Sequence, residues 1–172
     1  MNKLDHLAPG SPIPSVSFRI RHDGDWGSIT SHEIFSSRTV IVFALPGAFT
    51  PTCSSTHLPG YVALSGELRA AGVDEIYCLS VNDAFVMNAW AMEQRVKDEV
   101  IMLPDGNGEF TDGIGMLVDK RDLGFGLRSW RYSMLVRDGN IETMFVEDFA
   151  VAGDPFEVSD AQTMLSALVS SQ

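Results

Sequence analysis

Cysteine is scarce in this chain of 172 residues, which holds only Cys53 and Cys78. Two are too few for the stapled scaffold of a small secreted protein, and they lack the four-ligand spacing of a structural zinc site. No metal site is expected, and each thiol reads either as reactive or as core filler. Basic residues are also few: 12 Lys and Arg face 23 Asp and Glu, for a formal net charge of -11. Such a surface repels phosphate backbones and anionic lipid heads, which excludes nucleic acid and membranes as expected partners. Long apolar runs are missing. The longest, Val40 to Leu45, is stopped by Pro46 and falls far short of the ~20 residues that span a bilayer. Met1 to Pro14 carries no apolar stretch of ~7 residues of the kind found in a secretory signal, so a cytoplasmic protein is expected. No low-complexity tract, charge block or internal repeat divides the chain, and residues 1–172 read as a single domain.

What is present is an alternation of strands and helices. Val16 to Arg21 and Trp26 to Thr30 flank the turn-rich His22-Asp23-Gly24-Asp25, predicting an N-terminal hairpin. Thr39 to Leu45 is β-branched and almost wholly apolar, the pattern of a strand covered on both faces. Cys53 to Ala71 reads as a helix interrupted at Pro59 and Gly60 and closed by Gly72, and Glu75 to Val81 as a second buried strand, giving a right-handed βαβ unit. Asp83 sits where a helix N-cap belongs, and Val100 to Leu103 is a short strand. Tyr132 to Val136 and Ile141 to Val146 pair across Asp138-Gly139-Asn140. Ser159 and Gln162 predict a capping box for a last helix to about Val169. Together these elements predict an α/β fold, a thioredoxin-like sandwich with a mixed central sheet and an N-terminal hairpin extension.

The informative stretch runs from Pro46 to Cys53, between a buried strand and a helix start, at the carboxyl end of the sheet where ligands usually bind. Thr50 reads as an N-cap, Pro51 as the first helical residue, and Cys53 falls in the first turn. Unpaired N–H groups and the positive helix end stabilise a thiolate there. A lone cysteine is most often a small buried residue. The cap, the proline and the sheet end in combination point instead to a nucleophile. Three positions before Cys53, where a dithiol oxidoreductase would place a second cysteine, stands Thr50. The site therefore uses one attacking sulfur beside a hydroxyl, an arrangement suited to polarising a peroxide O–O bond.

Pro46, Thr50 and Cys53 match the spacing that marks peroxiredoxins. The longer string from Pro46 to Tyr61 resembles the type II, peroxiredoxin 5-like branch, as do Cys78 to Val86 and Arg131-Tyr132-Ser133-Met134. The resemblance implies a homodimeric peroxidase for hydrogen peroxide and alkyl hydroperoxides, with no prosthetic cofactor. It makes Cys53 the peroxidatic thiol that becomes a sulfenic acid, and Thr50 the hydroxyl holding the attacked oxygen with help from the Cys53 backbone N–H. Pro46 becomes the shield of the thiolate, and Arg131 the arginine that keeps the sulfur ionised. Read without the resemblance, Arg131 would be a surface ion pair. Arg128, three residues away, is set aside on the Arg-Tyr-Ser-Met match and not on charge.

Cys78 is the candidate resolving thiol, because some plant relatives use a cysteine at this place. Strand geometry puts it ~10 Å below the sheet edge, beyond the ~7 Å between Cα atoms that a disulfide allows. The expectation is regeneration by an external thiol, either glutathione with glutaredoxin or thioredoxin. Several relatives carry a fused glutaredoxin domain, and no such module follows here up to Gln172. His57, four residues after Cys53, lacks a recognisable orienting partner, and the cysteine-protease signatures are missing, so a structural or minor electrostatic role is expected. His6, His22 and His32 read as surface histidines. Phe49 and Phe85 fall in segments expected to border the pocket or a dimer contact. The rivals are a peroxide sensor that passes its oxidation to a partner protein and a silent thioredoxin-fold scaffold, the latter opposed by the intact Pro46, Thr50, Cys53 and Arg131 set.

Overall fold

A computed structural model describes residues 5–172. The chain opens with the predicted hairpin, β1 (Ser17–His22) and β2 (Asp25–Thr30), followed by the short α1 (Ser31–Phe35), capped at its N-terminus by the reciprocal Thr30 and Glu33 bonds. Next come β3 (Thr39–Ala44), a π-helical turn (Cys53–His57) running into α2 (Leu58–Ala70), β4 (Glu75–Ser80), and α3 (Ala84–Glu93), capped by Asp83. Then follow β5 (Ile101–Pro104), α4 (Glu109–Ile114), and the small hairpin of β6 (Leu117–Asp119) and β7 (Leu127–Ser129). The chain closes with β8 (Tyr132–Arg137), β9 (Asn140–Val146) and α5 (Ala161–Ser170).

The central sheet has the order β5-β4-β3-β8-β9, with β3, β4 and β5 parallel and β8 and β9 antiparallel. This is the thioredoxin-like α/β sandwich with the mixed sheet expected from the pattern. All six β3 residues are buried because the strand is covered on both faces. Ile41 and Phe43 face α2, α3 and α5, where Leu58, Tyr61, Trp90 and Met164 pack. Val40, Val42 and Ala44 face the other layer, with Phe18, Ile34, Phe35 and Phe110. Phe43 stacks on Tyr61 with centroids 4.0 Å apart and planes 4° from parallel, tying α2 to the sheet directly beneath the π turn. No helix among the described residues is long and apolar enough to cross a membrane.

Two local expectations change. The helix irregularity lies at 53–57 and not at Pro59-Gly60, because Pro59 falls in the first turn of α2, where its missing N–H costs nothing. The last helix has no Ser159–Gln162 capping box. Its N-cap is Asp160, which accepts from the Thr163 N–H at 2.9 Å, while the Ser159 hydroxyl is drawn to a buried carboxylate, Glu147, at 2.7 Å. Asp160→Ala should therefore lower unfolding stability by about 1 kcal/mol, whereas Gln162→Ala should stay within ~0.5 kcal/mol of wild type. Denaturant melts of the two variants check this.

Candidate active site

The loop from Leu45 to Thr50 leaves the carboxyl end of β3 and is pinned before it enters the helix at Pro51. The Leu45 N–H donates to the Leu79 carbonyl and the Ala48 N–H to Asn82 Oδ1, which also takes the Ser80 hydroxyl. A Cβ on Gly47 would stand 2.8 Å from Arg128 Nη1 and 3.2 Å from Thr50 Cγ2, so a larger residue there would push the Arg128 guanidinium aside. Phe49 takes φ +65°, an uncommon conformation for a bulky residue. The Thr50 hydroxyl donates to the Gly47 carbonyl at 2.7 Å and does not cap the helix, which leaves its oxygen lone pairs as acceptors. At the π turn the Leu58 N–H reaches back five residues to the Cys53 carbonyl, and Trp90 Nε1 donates to the Ser54 hydroxyl at 3.0 Å.

Cys53 has no exposed surface. Arg131 is equally buried and stands just before β8, which excludes the surface ion-pair reading. Its Nη2 donates to Cys53 Sγ at 3.3 Å, its Nη1 to His57 Nδ1 at 2.8 Å, and its Nε to Asp154 Oδ1 at 3.1 Å. Burial would lower the arginine's pKa, but the Cys53 sulfur and the Asp154 carboxylate outweigh it and raise the value. Arg128 instead holds the loop, donating to the Phe125 and Pro46 carbonyls.

His57 has the orienting partner that the sequence did not reveal. A guanidinium can only donate, so Nδ1 accepts; a carbonyl can only accept, so Nε2–H donates to Ser159 at 3.1 Å. This fixes a neutral tautomer, and burial, followed by the Arg131 charge, pushes the imidazole well below its ordinary value of 6.5. Phe43 and Phe156 enclose the ring. Asp154 escapes sequence reading, and Ser159 reads only as a helix cap, because they lie in an irregular segment with no periodicity, more than 90 residues from Cys53 and His57.

A cavity of about 240 Å³ adjoins this cluster, walled by Pro46, Thr50, Pro51, Leu123, Phe125 and Asp154 among others. Phe49 and Phe85 do not line it. Both are about half exposed, and Phe85 meets Trp26 edge-to-face at 5.4 Å. Cys78 is fully buried in β4, opposite Phe43 and Met102, and both cysteines are free. Burial, followed by the neighbouring Cys53, pushes the Cys78 thiol well above its usual range. His22 and His32 are exposed and His6 partly so. Among the described residues no group of three or more His, Cys, Asp or Glu could hold a metal ion.

The Redoxin family model matches residues 8–165. The hybrid peroxiredoxin hyPrx5 of Haemophilus influenzae is 57% identical over 159 residues, covering 92% of this chain and 65% of that protein. A peroxiredoxin of Synechocystis is 55% identical over 168 residues, covering 91% and 88%. Among solved structures, reduced Prx3 of Vibrio vulnificus in complex with hydrogen peroxide superposes with a TM-score of 0.87 at 42% identity, covering 94% and 99%. The 1-Cys peroxiredoxin of Plasmodium falciparum gives 0.88 at 32%, covering 95% and 99%. The chain belongs to the Redoxin family, among its peroxiredoxins, the thiol peroxidases of the oxidoreductase class.

The neutral, buried His57 gives a pH signature. Its folded pKa is depressed, so between that value and 6.5 the unfolded chain binds the extra proton and stability falls as pH is lowered. Melts of wild type should lose stability from about pH 6.5 toward pH 5, and His57→Gln should remove this part of the slope. An unchanged slope in the variant would show that His57 is not the group involved.

Proposed function

We propose that this protein reduces hydrogen peroxide and alkyl hydroperoxides through Cys53, with Thr50, Arg131 and Pro46 as its site partners. The observation that carries the reading is the 3.3 Å contact between the buried Arg131 guanidinium and the Cys53 sulfur. A guanidinium in a water-excluded site favours the thiolate and then the negative charge that develops on the peroxide. The thiolate attacks one oxygen, the S–O bond forms as the O–O bond breaks, and the departing alkoxide or hydroxide takes up a proton as it leaves. Sulfur is oxidised to sulfenic acid and the peroxide is reduced. Thr50, its proton committed to Gly47, accepts from the peroxide O–H and aligns the O–O bond. Pro46 and Pro51 keep bulk water from the sulfur. Because Cys53 has no exposed surface, a peroxide reaches it by a small displacement of the cavity wall. Leu123 and Phe125 in that wall favour peroxides with an apolar tail.

An external thiol regenerates the site. One molecule of glutathione condenses with the sulfenic acid, releasing water, and a second thiol, directly or through glutaredoxin, releases Cys53 as the mixed disulfide is reduced; thioredoxin would do the same with its two thiols. Cys78 is a poor resolving nucleophile in the folded state, since its raised pKa keeps it protonated. The chain works in the cytoplasm as one domain over residues 1–172, and as a homodimer, for which the exposed Trp26 and Phe85 pair provides an apolar contact.

Cys53→Ser should abolish peroxide consumption with the fold intact, since a serine hydroxyl is not ionised at neutral pH. Thr50→Val should reduce it by about 100-fold, the scale of losing one oriented polar contact to the transition state. Steady-state turnover with glutathione plus glutaredoxin, set against thioredoxin plus its reductase, checks both variants and identifies the reductant. Wild-type rates in Cys53→Ser would place the active site elsewhere.

A further inference from the structure

The segment between β9 and α5 supplies two of the groups that hold Arg131: the Asp154 carboxylate directly, and the Ser159 carbonyl through His57. It contains neither strand nor helix. What fixes it is one carboxylate, Glu147, which is 1% exposed. Glu147 Oε1 accepts from the backbone N–H groups of Glu157, Val158 and Ser159 at 3.0, 2.9 and 2.9 Å and from the Ser159 hydroxyl at 2.7 Å. Its Oε2 takes the Glu157 N–H at 2.9 Å. The Glu147 main chain is fastened on the opposite side, its N–H donating to the Arg131 carbonyl and its carbonyl accepting from Trp130 Nε1. One residue thus grips the backbone of Arg131 and the far end of the segment that aims the Arg131 side chain.

A carboxylate is expensive to bury unless its lone pairs are filled. Here burial raises the Glu147 pKa, but the Ser159 hydroxyl and the N–H groups of residues 157–159 outweigh it and hold the carboxyl below its ordinary range, so the group is charged at neutral pH. Filling those lone pairs with three consecutive N–H groups is what shapes residues 157–159 and turns the Ser159 carbonyl toward His57 Nε2 and the Tyr61 hydroxyl.

We infer that Glu147 is a positioning residue for the peroxidase reaction, clamping residues 157–159 so that Ser159 sets His57 and His57 sets Arg131 against the Cys53 sulfur. The inference rests on the reading of Cys53 and Arg131 as the reacting pair. The relay has little slack, because its two steps beyond Ser159 are bonds of 3.1 and 2.8 Å, and a displacement of ~1 Å at a reacting centre can cost ~100-fold in rate. The titratable or charged groups facing the Cys53–Arg131 pair are His57 from the π turn, Cys78 from β4 and Asp154 from the segment itself.

The test is peroxide consumption as a function of pH in Glu147→Gln and Ser159→Ala. Glutamine keeps the shape and one acceptor oxygen but turns an amide N–H₂ toward a backbone N–H. The Ser159→Ala change removes only the hydroxyl bond to Glu147 and leaves the carbonyl that His57 uses. For Glu147→Gln the expected result is about a tenfold loss in second-order rate, with the pH–rate profile displaced from that of wild type. Ser159→Ala should show the same displacement in smaller measure. A Glu147→Gln protein with wild-type rate and profile, or one that loses stability while its profile stays in place, overturns the inference by reducing Glu147 to a structural role. If Glu147→Gln fails to fold, Ser159→Ala decides: a displaced profile supports the relay and a wild-type profile overturns it. An active Cys53→Ser protein in the same assay would overturn the underlying reading of the site, and the inference with it.

Discussion

A guanidinium with no exposed surface is the constraint on which this structure depends. Burying that charge is unfavourable unless every face of it is bonded, and the surrounding fold supplies the bonds: a sulfur from the π turn, an imidazole one turn later, and a carboxylate from the segment after β9. Each partner answers a different requirement. Asp154 balances the charge, His57 remains neutral and fixes orientation, and Cys53 Sγ takes the Nη2 donor at 3.3 Å. A planar guanidinium held at three points is a rigid donor.

The scaffold accounts for that rigidity. β3 carries the loop to the sheet's carboxyl edge, β8 beside it carries Arg131, and their antiparallel pairing sets Ala44 opposite Tyr132, so loop and arginine leave neighbouring strands at the same level. The π turn brings Cys53 and His57 to the same guanidinium, with Trp90 bonded to Ser54 and Phe43 stacked on Tyr61 to hold the turn from either side. A regular α-helix would close its bonds at four residues instead of five and rotate the two groups differently. The cost is one irregular turn at Cys53–His57.

Much of this was legible in the sequence because the signals were local. The apolar run of β3, the turn residues of the two predicted hairpins and the Asp83 cap each act over a few residues, and each appears where the pattern put it, whereas Thr50, read as an N-cap, donates its hydroxyl to Gly47 instead. The peroxiredoxin resemblance also selected Arg131 over Arg128, a choice charge alone could not make, and the structure buries the first against Cys53 while the second braces the loop carbonyls. What was illegible is non-local. Asp154, Ser159 and Glu147 act across distances in sequence that no periodicity spans. His57 looked unsupported only because its support comes from a carbonyl 102 positions away. The misplaced capping box has the same origin: Ser159 matched the local pattern, but a buried carboxylate 12 residues earlier offered its hydroxyl a better partner.

On the proposed reading, oxidation is confined to Cys53, which Arg131 contacts, while Cys78, its thiol pushed up by burial, remains reduced. Mass spectrometry after one equivalent of peroxide, with a sulfenic-acid trap present, tests it most directly. The trap adduct should map to the peptide containing Cys53, with Cys78 recovered as a free thiol. A rapid and near-quantitative disulfide between Cys53 and Cys78 within one chain, or an adduct on Cys78, would contradict the account.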